Sequence, residues 1–297
     1  MDKLKQMRVI QLLKNRFADI KYFFWLLKNF NKLKKNNYSL MLFLKYWILY
    51  AISRLTLDKE KAHDISKNII SHFKDKNLII PLPMNSPDTY WMGLRDSGDF
   101  EVFREVCMED HYNYSQIKKD MVVVDVGAHI GTFTLLASKK AGEKGKVIAI
   151  EPEPQNFNQL IKNLKINEIK NVITIKTALN DFNGQADFFI TDDSMSHSFF
   201  PQASNIREKT QIEVKTLDAL LQELRINKVD LLKIDAENAE LKILKGAKET
   251  LIINPQMKMV IAAYHSLNDP LEIIRYLKEL NFSPKILPGI FTLVLVE

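Results

Sequence analysis

Two short apolar runs, each closed by a carboxylate, constrain the fold of this chain more than any other feature of its sequence. Residues 122–124 are all valine and Asp125 follows them, while the apolar residues 147–150 are followed by Glu151. Continuous apolar runs of this length are typical of buried parallel strands. Open α/β sheets bind ligands at the carboxyl ends of their strands, and an acid beyond the second strand commonly binds a ribose diol. The sequence therefore predicts an α/β fold that binds a ribose-containing cofactor, with Glu151 as the ribose ligand.

The residues between the two runs distinguish between cofactors. Gly127 and Gly131 follow Asp125 in an Asp-x-Gly-x-x-x-Gly spacing. A dinucleotide site requires a glycine where this chain has His129, because the backbone must approach a pyrophosphate there. A nicotinamide-dependent oxidoreductase is therefore the weaker alternative, and the spacing resembles that of class I S-adenosylmethionine-dependent methyltransferases. We predict that Asp125, Gly127 and Ala128 shape the loop beside the methionine part of the cofactor, and that Gly131 begins the next helix.

Blocks farther along the chain resemble the FkbM-type family of S-adenosylmethionine-dependent methyltransferases. The longest block, residues 229–241 (VDLLKIDAENAEL), is similar to the family's DLLKIDVEGAEL. Shorter blocks occur in family order: VVDVGAHIG at 123–131, IEP at 150–152, ALND at 178–181, TLD at 216–218 and LKGA at 244–247. The resemblance implies a Rossmann-like, seven-stranded, mostly parallel sheet and S-adenosylmethionine as cofactor. It also implies O-methylation of a hydroxyl, for which a glycan or glycolipid is the first choice of acceptor.

Two positions depart from the family pattern. His129 stands where the family usually has asparagine, and Asn238 stands where it usually has glycine. If glycine at that second position serves a positive φ, asparagine is the least disruptive replacement, because it tolerates the left-handed region better than most residues. We therefore expect the fold to be retained, whereas the sequence does not fix the local geometry of the loop around residue 238.

Methyl transfer to a hydroxyl requires a base that removes the hydroxyl proton. Asp235, at the end of the predicted strand 229–234, is the leading candidate, and Glu237 and His265 are alternatives. These three residues could equally bind a divalent cation, but their spacing does not demand one, so no metal ligands are assigned. Glu240 is a further candidate base, or it faces solvent or pairs with a lysine such as Lys233.

The turn after the third predicted strand offers a contact for adenine. Residues 172–179 are a predicted third strand, and Asn183-Gly184 is a turn signal that leads to a hairpin partner over 185–190. Asn180 and Asp181 lie where a polar group would meet adenine, although ordinary turn chemistry explains them as well. The other predicted elements are a loop over 191–208, helices over 216–224, 237–251 and 271–280, and strands over 257–263 and 291–296.

The charge of the chain is concentrated at its amino end. Residues 1–60 contain 13 Lys and Arg against 4 Asp and Glu, a net charge of +9, whereas the rest of the chain has a net charge of −3. A near-neutral catalytic region disfavours a nucleic-acid groove across the site. The aromatic runs 22–27 and 40–50 are shorter than the ~20 residues of a membrane span. Two interpretations stay open: helices that lie in a membrane interface, or a helical cap packed on the catalytic domain or on a second subunit.

We therefore predict two parts, a basic, aromatic-rich helical extension over 1–78 and a methyltransferase domain over 79–297 that opens with a Pro-rich connector to residue 90. Cys107 is the only cysteine, which favours a reducing, cytoplasmic setting, on the membrane face if the extension binds lipid. An inactive methyltransferase-fold scaffold is the alternative of a different class, and the presence of Asp125, Glu151 and Asp235 argues against it.

Overall fold

The computed structural model describes residues 78–82, 90–95, 97–108, 110–191, 206–263, 269–287 and 293–296. The described residues fall into two compact units. The first contains the residues up to His111 together with Lys162–Glu168, and the second contains Tyr112–Ile161 and Ile169–Glu297. The predicted extension, apart from its last residue, and the candidate base His265 lie outside the described residues.

The first unit contains a small antiparallel pair of strands. Strand β1 (Leu78–Pro81) pairs with β2 (Trp91–Leu94), so the predicted connector 79–90 begins as a strand. The side-chain amides of Asn163 and Asn167 bind the backbone of β2: Gly93 N–H donates to Asn163 Oδ1 (2.8 Å) and Trp91 N–H donates to Asn167 Oδ1 (2.6 Å). These amides satisfy backbone groups that an edge strand would otherwise leave unpaired. Helix α1 (Ser97–Phe103) and a π-helical turn (Arg104–Met108) follow.

The second unit contains ten strands among the residues that the structure describes. In chain order they are β3 (Val122–Val126), β4 (Lys146–Ile150), β5 (Val172–Ile175), β6 (Ala178–Leu179), β7 (Gly184–Thr191), β8 (Ile206–Lys215), β9 (Leu231–Ile234), β10 (Lys258–Ala262), β11 (Lys285–Leu287) and β12 (Leu293–Val296). The helices are α2 (Thr132–Ala141), α3 (Pro154–Ile166, whose last residues belong to the first unit), α4 (Leu217–Glu223), α5 (Glu240–Lys245), α6 (Lys248–Ile253) and α7 (Asp269–Glu279).

Seven of these strands form one sheet in the order β11-β12-β10-β9-β3-β4-β5. Strands β5, β4, β3, β9 and β10 are parallel, and β12 runs antiparallel to both β10 and β11. Residues 123–126 of β3 and all of β9 are buried, which explains why these strands are continuous apolar runs rather than alternating ones. The prediction of a seven-stranded, mostly parallel sheet is confirmed. This order places the carboxyl ends of β3, β4 and β9 side by side.

The remaining strands form a second sheet in the order β6-β8-β7, which corrects two predictions. The predicted third strand 172–179 divides into β5 and β6, which belong to different sheets. The predicted hairpin with residues 172–179 is wrong as well, because β7 pairs antiparallel with β8, the strand that follows it in the chain. Thr177 marks the change of sheet, since its hydroxyl donates to the carbonyl of Glu213 on β8 (3.0 Å). The predicted loop 191–208 overlaps the start of β8.

The predicted helix 237–251 is two short helices, α5 and α6, which Gly246 and Ala247 separate. A Cβ atom on Gly246 would lie 2.2 Å from the carbonyl oxygen of Asn180, so the chain passes too close to the β6 turn for any other residue. Contacts with a distant segment therefore set the break between the helices.

No helix in the described part of the chain is long and apolar enough to cross a membrane. The two interpretations of the basic segment 1–60 concern residues that the structure does not describe, so both stay predictions.

Candidate active site

A buried ion pair lies beneath the loop that follows β3. Asp125 and Lys233 face each other across the β3–β9 register, and both side chains are buried. Lys233 Nζ is 3.0 Å from Asp125 Oδ1, a contact of charges that is not aligned as a hydrogen bond. Thr134 Oγ1, on α2, donates to the other carboxylate oxygen (2.5 Å). The structure thus places Asp125 below the loop that it was predicted to shape.

Lys233 connects that ion pair to the loop. Its ammonium donates to the carbonyl oxygens of Val126 (3.1 Å) and Gly127 (2.7 Å). The structure supports neither of the two alternatives offered for Glu240: its side chain is buried rather than exposed to solvent, and its carboxylate accepts from the Ala236 N–H (2.9 Å), while Lys233 pairs with Asp125. Because the ammonium is buried, its positive charge is compensated by Asp125 and by these carbonyl dipoles. The arrangement holds the start of the loop against β9.

Gly127 is required both by its backbone conformation and by its surroundings. Its φ is +71°, and a Cβ atom added there would lie 1.8 Å from the carbonyl oxygen of Asp235. The N–H groups of Gly127 and Ala128 both donate to the Ile150 carbonyl (3.0 Å each), which ties the loop to the end of β4. The loop is therefore fixed to both neighbouring strands at the point where a cofactor would lie in an α/β sheet.

Helix α2 begins immediately after Gly131, as the glycine spacing predicts. Gly131 is the N-cap residue with φ +91°, and a Cβ atom would lie 2.5 Å from Leu160 Cδ1 on α3. His129, between the two glycines, also has a positive φ of 52°. The loop therefore contains three left-handed residues, only two of which are glycines, and such strain concentrates at functional sites.

Glu151 lies at the end of β4 with both of its oxygens turned toward backbone donors. His129 N–H donates to Oε2 (2.8 Å) and Glu153 N–H donates to Oε1 (3.0 Å). Burial raises the pKa of Glu151 from 4.5 to about 7, while these two hydrogen bonds act to lower it. Each carboxylate oxygen has two lone pairs, so the group retains acceptor capacity for a diol. The free acceptor capacity of the Glu151 carboxylate fits its predicted role as the ligand of the ribose diol.

Asp235 occupies the carboxyl end of β9 and is partly exposed. Its N–H donates to the Val126 carbonyl (3.1 Å), and its carboxylate accepts a hydrogen bond from the hydroxyl of Tyr112. Tyr112 is buried, and no pattern in its sequence neighbourhood indicates a role. Lys233 had a detectable signal, because a lysine inside an apolar strand needs a buried partner.

The turn after Asp235 contains two successive left-handed residues. Glu237 has φ 49° and Asn238 has φ 74°, and Ala239 N–H donates to the Ala236 carbonyl (3.2 Å). Positive φ at both central positions is typical of a type I′ turn. Asn238 thus adopts the positive φ for which asparagine is the least disruptive replacement of glycine. A non-glycine residue in this region costs on the order of 1–3 kcal/mol, so the turn after β9 is strained like the loop after β3.

Asn180 and Asp181 form a local turn after β6. Asn180 is buried, and its Oδ1 accepts from the Asp181 N–H (2.8 Å), whereas Asp181 is exposed. This is the turn chemistry that the sequence left open as the alternative, and the adenine contact stays a prediction.

No group of three or more His, Cys, Asp and Glu residues in the described ranges is arranged to hold a metal ion. The predicted alternative of a divalent cation site included His265, which is outside these ranges.

Comparison with known proteins agrees with the class of protein that this sheet and site define. The methyltransferase FkbM domain matches residues 125–284. The chain therefore belongs to the FkbM-domain methyltransferases. Its cofactor is S-adenosylmethionine, as its methyltransferase fold predicts.

Individual relatives of this chain share less than a third of its residues over the aligned segments described here. The hexuronic acid methyltransferase AglP of Haloferax volcanii is 29% identical over 177 residues, which are 58% of this chain and 67% of the relative. The methyltransferase sdnD of Sordaria araneosa is 26% identical over 178 residues, 50% of this chain and 68% of the relative.

Among solved structures, a methyltransferase FkbM from Methylobacillus flagellatus aligns with 66% of this chain at 19% identity and a TM-score of 0.47. This chain spans about half (52%) of that protein. The fold assignment rests on the strand order described above.

Proposed function

We propose that this methyltransferase transfers a methyl group to a hydroxyl of a glycan or glycolipid. The observation that carries the proposal is the placement of the Asp235 carboxylate, partly exposed at the end of β9 and adjoining the glycine loop. The similarity to a protein named as a hexuronic acid methyltransferase supports a sugar as the acceptor.

The residues at the carboxyl ends of β3 and β4 would hold the cofactor. Glu151 would accept hydrogen bonds from the ribose diol, and Gly127 and Ala128 would line the methionine part. When bound, S-adenosylmethionine supplies a methyl group on a positively charged sulfur that an oxygen nucleophile can displace. Because the barrier to such a displacement depends on alignment, the rigid attachment of the loop to β4 and β9 favours the reaction.

Asp235 would remove the acceptor's proton. A sugar hydroxyl is a weak nucleophile until its proton leaves, and a positioned carboxylate accepts that proton as the new bond to carbon forms. Glu237 is the second candidate, because it lies in the turn that follows Asp235 at the carboxyl end of β9.

The test is methylation of defined sugars by the purified full chain with S-adenosylmethionine. One panel contains neutral oligosaccharides, and a matched panel contains the corresponding uronic acids. Mass spectrometry would detect an added methylene unit, and mild alkali would separate ethers, which survive, from esters, which are cleaved. An ester would mean that an ionised carboxylate is the acceptor, for which no base is needed, and the assignment of Asp235 would then be wrong.

The variant Asp235→Asn provides the control for chemistry. We expect it to bind S-adenosylhomocysteine with wild-type affinity and to lose at least about a hundredfold in kcat. If the wild-type chain binds S-adenosylhomocysteine but methylates neither panel, the sugar acceptor is wrong. If it binds no S-adenosylhomocysteine at all, the inactive scaffold is the better description.

The proposal extends to where the acceptor is presented. The net charge of +9 and the aromatic runs in residues 1–60 favour contact with an acidic membrane surface, where each Lys or Arg contributes about 1 kcal/mol. Co-sedimentation with anionic and neutral vesicles tests this. Retention of the full chain in the supernatant with anionic vesicles would favour the helical cap instead.

A further inference from the structure

The side chain that contacts Asp235 belongs to a residue that no sequence motif includes. The hydroxyl of Tyr112 donates a hydrogen bond to Asp235 Oδ2, although the two residues are 123 positions apart. Tyr112 precedes β3, so a segment outside the glycine loop reaches the end of β9. A carboxylate that acts as a base must be held in one orientation, and a hydrogen bond from a fixed donor restricts its orientation.

The ring of Tyr112 is itself fixed by two neighbours. Lys233 Nζ lies 5.1 Å from the ring centroid, a cation–π contact. The ring of Phe133, on α2, approaches at 6.0 Å with an interplanar angle of 85°, the edge-to-face arrangement. Only 5% of Tyr112 is exposed. The hydroxyl is therefore presented to Asp235 by a buried ring with little freedom to turn.

Lys233 connects the base to the glycine loop. The same ammonium that contacts the Tyr112 ring donates to the Gly127 carbonyl and pairs with Asp125. The loop that would line the cofactor and the side chain that orients the base thus share one buried cation.

We propose that Tyr112 is a positioning residue for Asp235. Its hydroxyl donates to one carboxylate oxygen, holds the carboxylate in place and favours its ionised form, so that the carboxylate can accept the acceptor's proton. This proposal rests on the function proposed above, in which Asp235 is the base.

The variant Tyr112→Phe removes the hydroxyl alone, since phenylalanine retains the ring that packs on Phe133 and Lys233. A matched control is Tyr114→Phe, because Tyr114 also carries a lysine over its ring, with Lys140 Nζ 5.6 Å from the centroid. Both variants therefore lose one phenolic hydroxyl from the same segment, and only the first loses the hydrogen bond to Asp235.

The first measurement needs no acceptor. In protein labelled with ¹³C-aspartate, the Asp235 carboxyl signal is the one absent from Asp235→Asn, and its pH titration is followed in each variant. A hydrogen bond to a charged group corresponds to roughly one to two pH units, so the midpoint should rise by that amount in Tyr112→Phe and stay unchanged in Tyr114→Phe. Other charged groups on the surrounding elements also influence the midpoint of the Asp235 titration, but both variants retain them. These groups are Asp125, Glu151, Lys233, Glu237 and Glu240. An unmoved midpoint in Tyr112→Phe would overturn the proposal.

The second measurement uses the acceptor sugar. Tyr112→Phe should lower kcat at least about tenfold and move the acidic limb of the activity profile to higher pH, with the Kd for S-adenosylhomocysteine within about twofold of wild type. A moved midpoint with unchanged kcat would refute the positioning role. A moved midpoint in a chain that methylates no sugar would leave the Tyr112–Asp235 coupling intact and refute the acceptor instead.

Fluorotyrosine incorporated at position 112 keeps the result decisive if Tyr112→Phe does not fold. The more acidic phenol is a stronger donor and retains the ring, so the Asp235 midpoint should move to lower pH. A midpoint that does not move in this protein would likewise overturn the proposal.

Discussion

The loops that follow β3 and β9 differ from the turn that follows β6 in what holds them. The first two are joined by contacts between strands: Lys233 binds the Gly127 carbonyl, and Gly127 packs against the carbonyl of Asp235. In the turn after β6, the Asn180 carbonyl also approaches a distant residue, Gly246, but the side chain of Asp181 is exposed. We therefore expect substitutions in the two strained loops, which long-range contacts maintain, to cost more than a substitution of Asp181.

The largest effect is expected from Gly127→Ala, with Gly142→Ala as its matched control. Both glycines have φ +71°, but a Cβ atom on Gly142 would meet nothing within 4 Å, whereas one on Gly127 would overlap the Asp235 carbonyl. Gly142→Ala should cost about 1–3 kcal/mol through its backbone conformation alone, because φ 71° with ψ −177° is a combination that glycine adopts almost exclusively. Gly127→Ala should cost about 4–5 kcal/mol or yield no folded protein. Urea unfolding compares the two, and equal costs would show that the close approach is unimportant.

Lys233→Met should cause the next largest loss of stability, because it leaves the Asp125 carboxylate buried without its cation. Removal of one partner of a buried ion pair costs about 3–5 kcal/mol. The double variant Asp125→Asn/Lys233→Met removes both charges and should recover at least about half of that loss. If the double variant is as unstable as the single one, the charge of Asp125 is not the source of the effect, and the hydrogen bonds to the loop carbonyls are.

Glu151→Ala tests the predicted ribose contact rather than the fold. Loss of hydrogen bonds to a charged group should weaken the binding of S-adenosylhomocysteine by about ten- to a hundredfold, or about 1.5–3 kcal/mol. Calorimetry measures the affinity, and circular dichroism confirms that the domain is folded. Wild-type affinity in the folded variant would remove Glu151 from the cofactor site.

The raised pKa of Glu151 predicts a pH dependence of cofactor binding. Because the pKa is raised from 4.5 to about 7, burial destabilises the ionised form. The folded protein therefore loses stability as the pH rises from about 4.5 through about 7. A diol that donates to the carboxylate favours the ionised form, so affinity should increase roughly tenfold between pH 6 and pH 8. Glu151→Gln should be weaker and insensitive to pH over this range, and an identical slope in that variant would assign the dependence to another group.

The smallest effect is expected from Asp181→Ala. Its carboxylate is exposed, and an exposed polar contact contributes less than about 1 kcal/mol. The unfolding free energy should change by less than about 0.5 kcal/mol, and S-adenosylhomocysteine affinity by less than about fivefold. A larger loss of affinity at unchanged stability would establish Asp181 as an adenine ligand and place the turn after β6 within the site.

The sequence predicted the central strands of the large sheet correctly but not the strands of the small sheet, and the difference has a physical reason. The strands β3, β4 and β9 are buried on both faces, so their apolar runs and terminal acids were recognisable in the sequence. The prediction failed at residues 172–179 and 185–190, because Ala178 pairs with β8 and β7 does likewise. The pairing of a strand depends on which partner the fold brings beside it, and local patterns do not encode that choice.

The candidate site shows the same division. Asp125, Gly127, Glu151 and Asp235 are candidates that the sequence supplies, because Glu151 and Asp235 directly follow a strand, Asp125 is the last residue but one of β3, and only glycine fits at position 127. The sequence did not indicate the partners of these residues, Lys233 for Asp125 and Tyr112 for Asp235. Both contacts depend on which elements become neighbours in the folded chain.

The class of fold, the family and the positions of the glycines and carboxylates near the strand ends follow from the amino-acid sequence, because periodicity, chain turns and buried runs are local properties. The folded structure was needed to show that Lys233 pairs with Asp125, that the Tyr112 hydroxyl donates to Asp235, and that Gly127 must accommodate the Asp235 carbonyl. These contacts join residues about 100 positions apart, and their geometry exists only after β3 and β9 have paired.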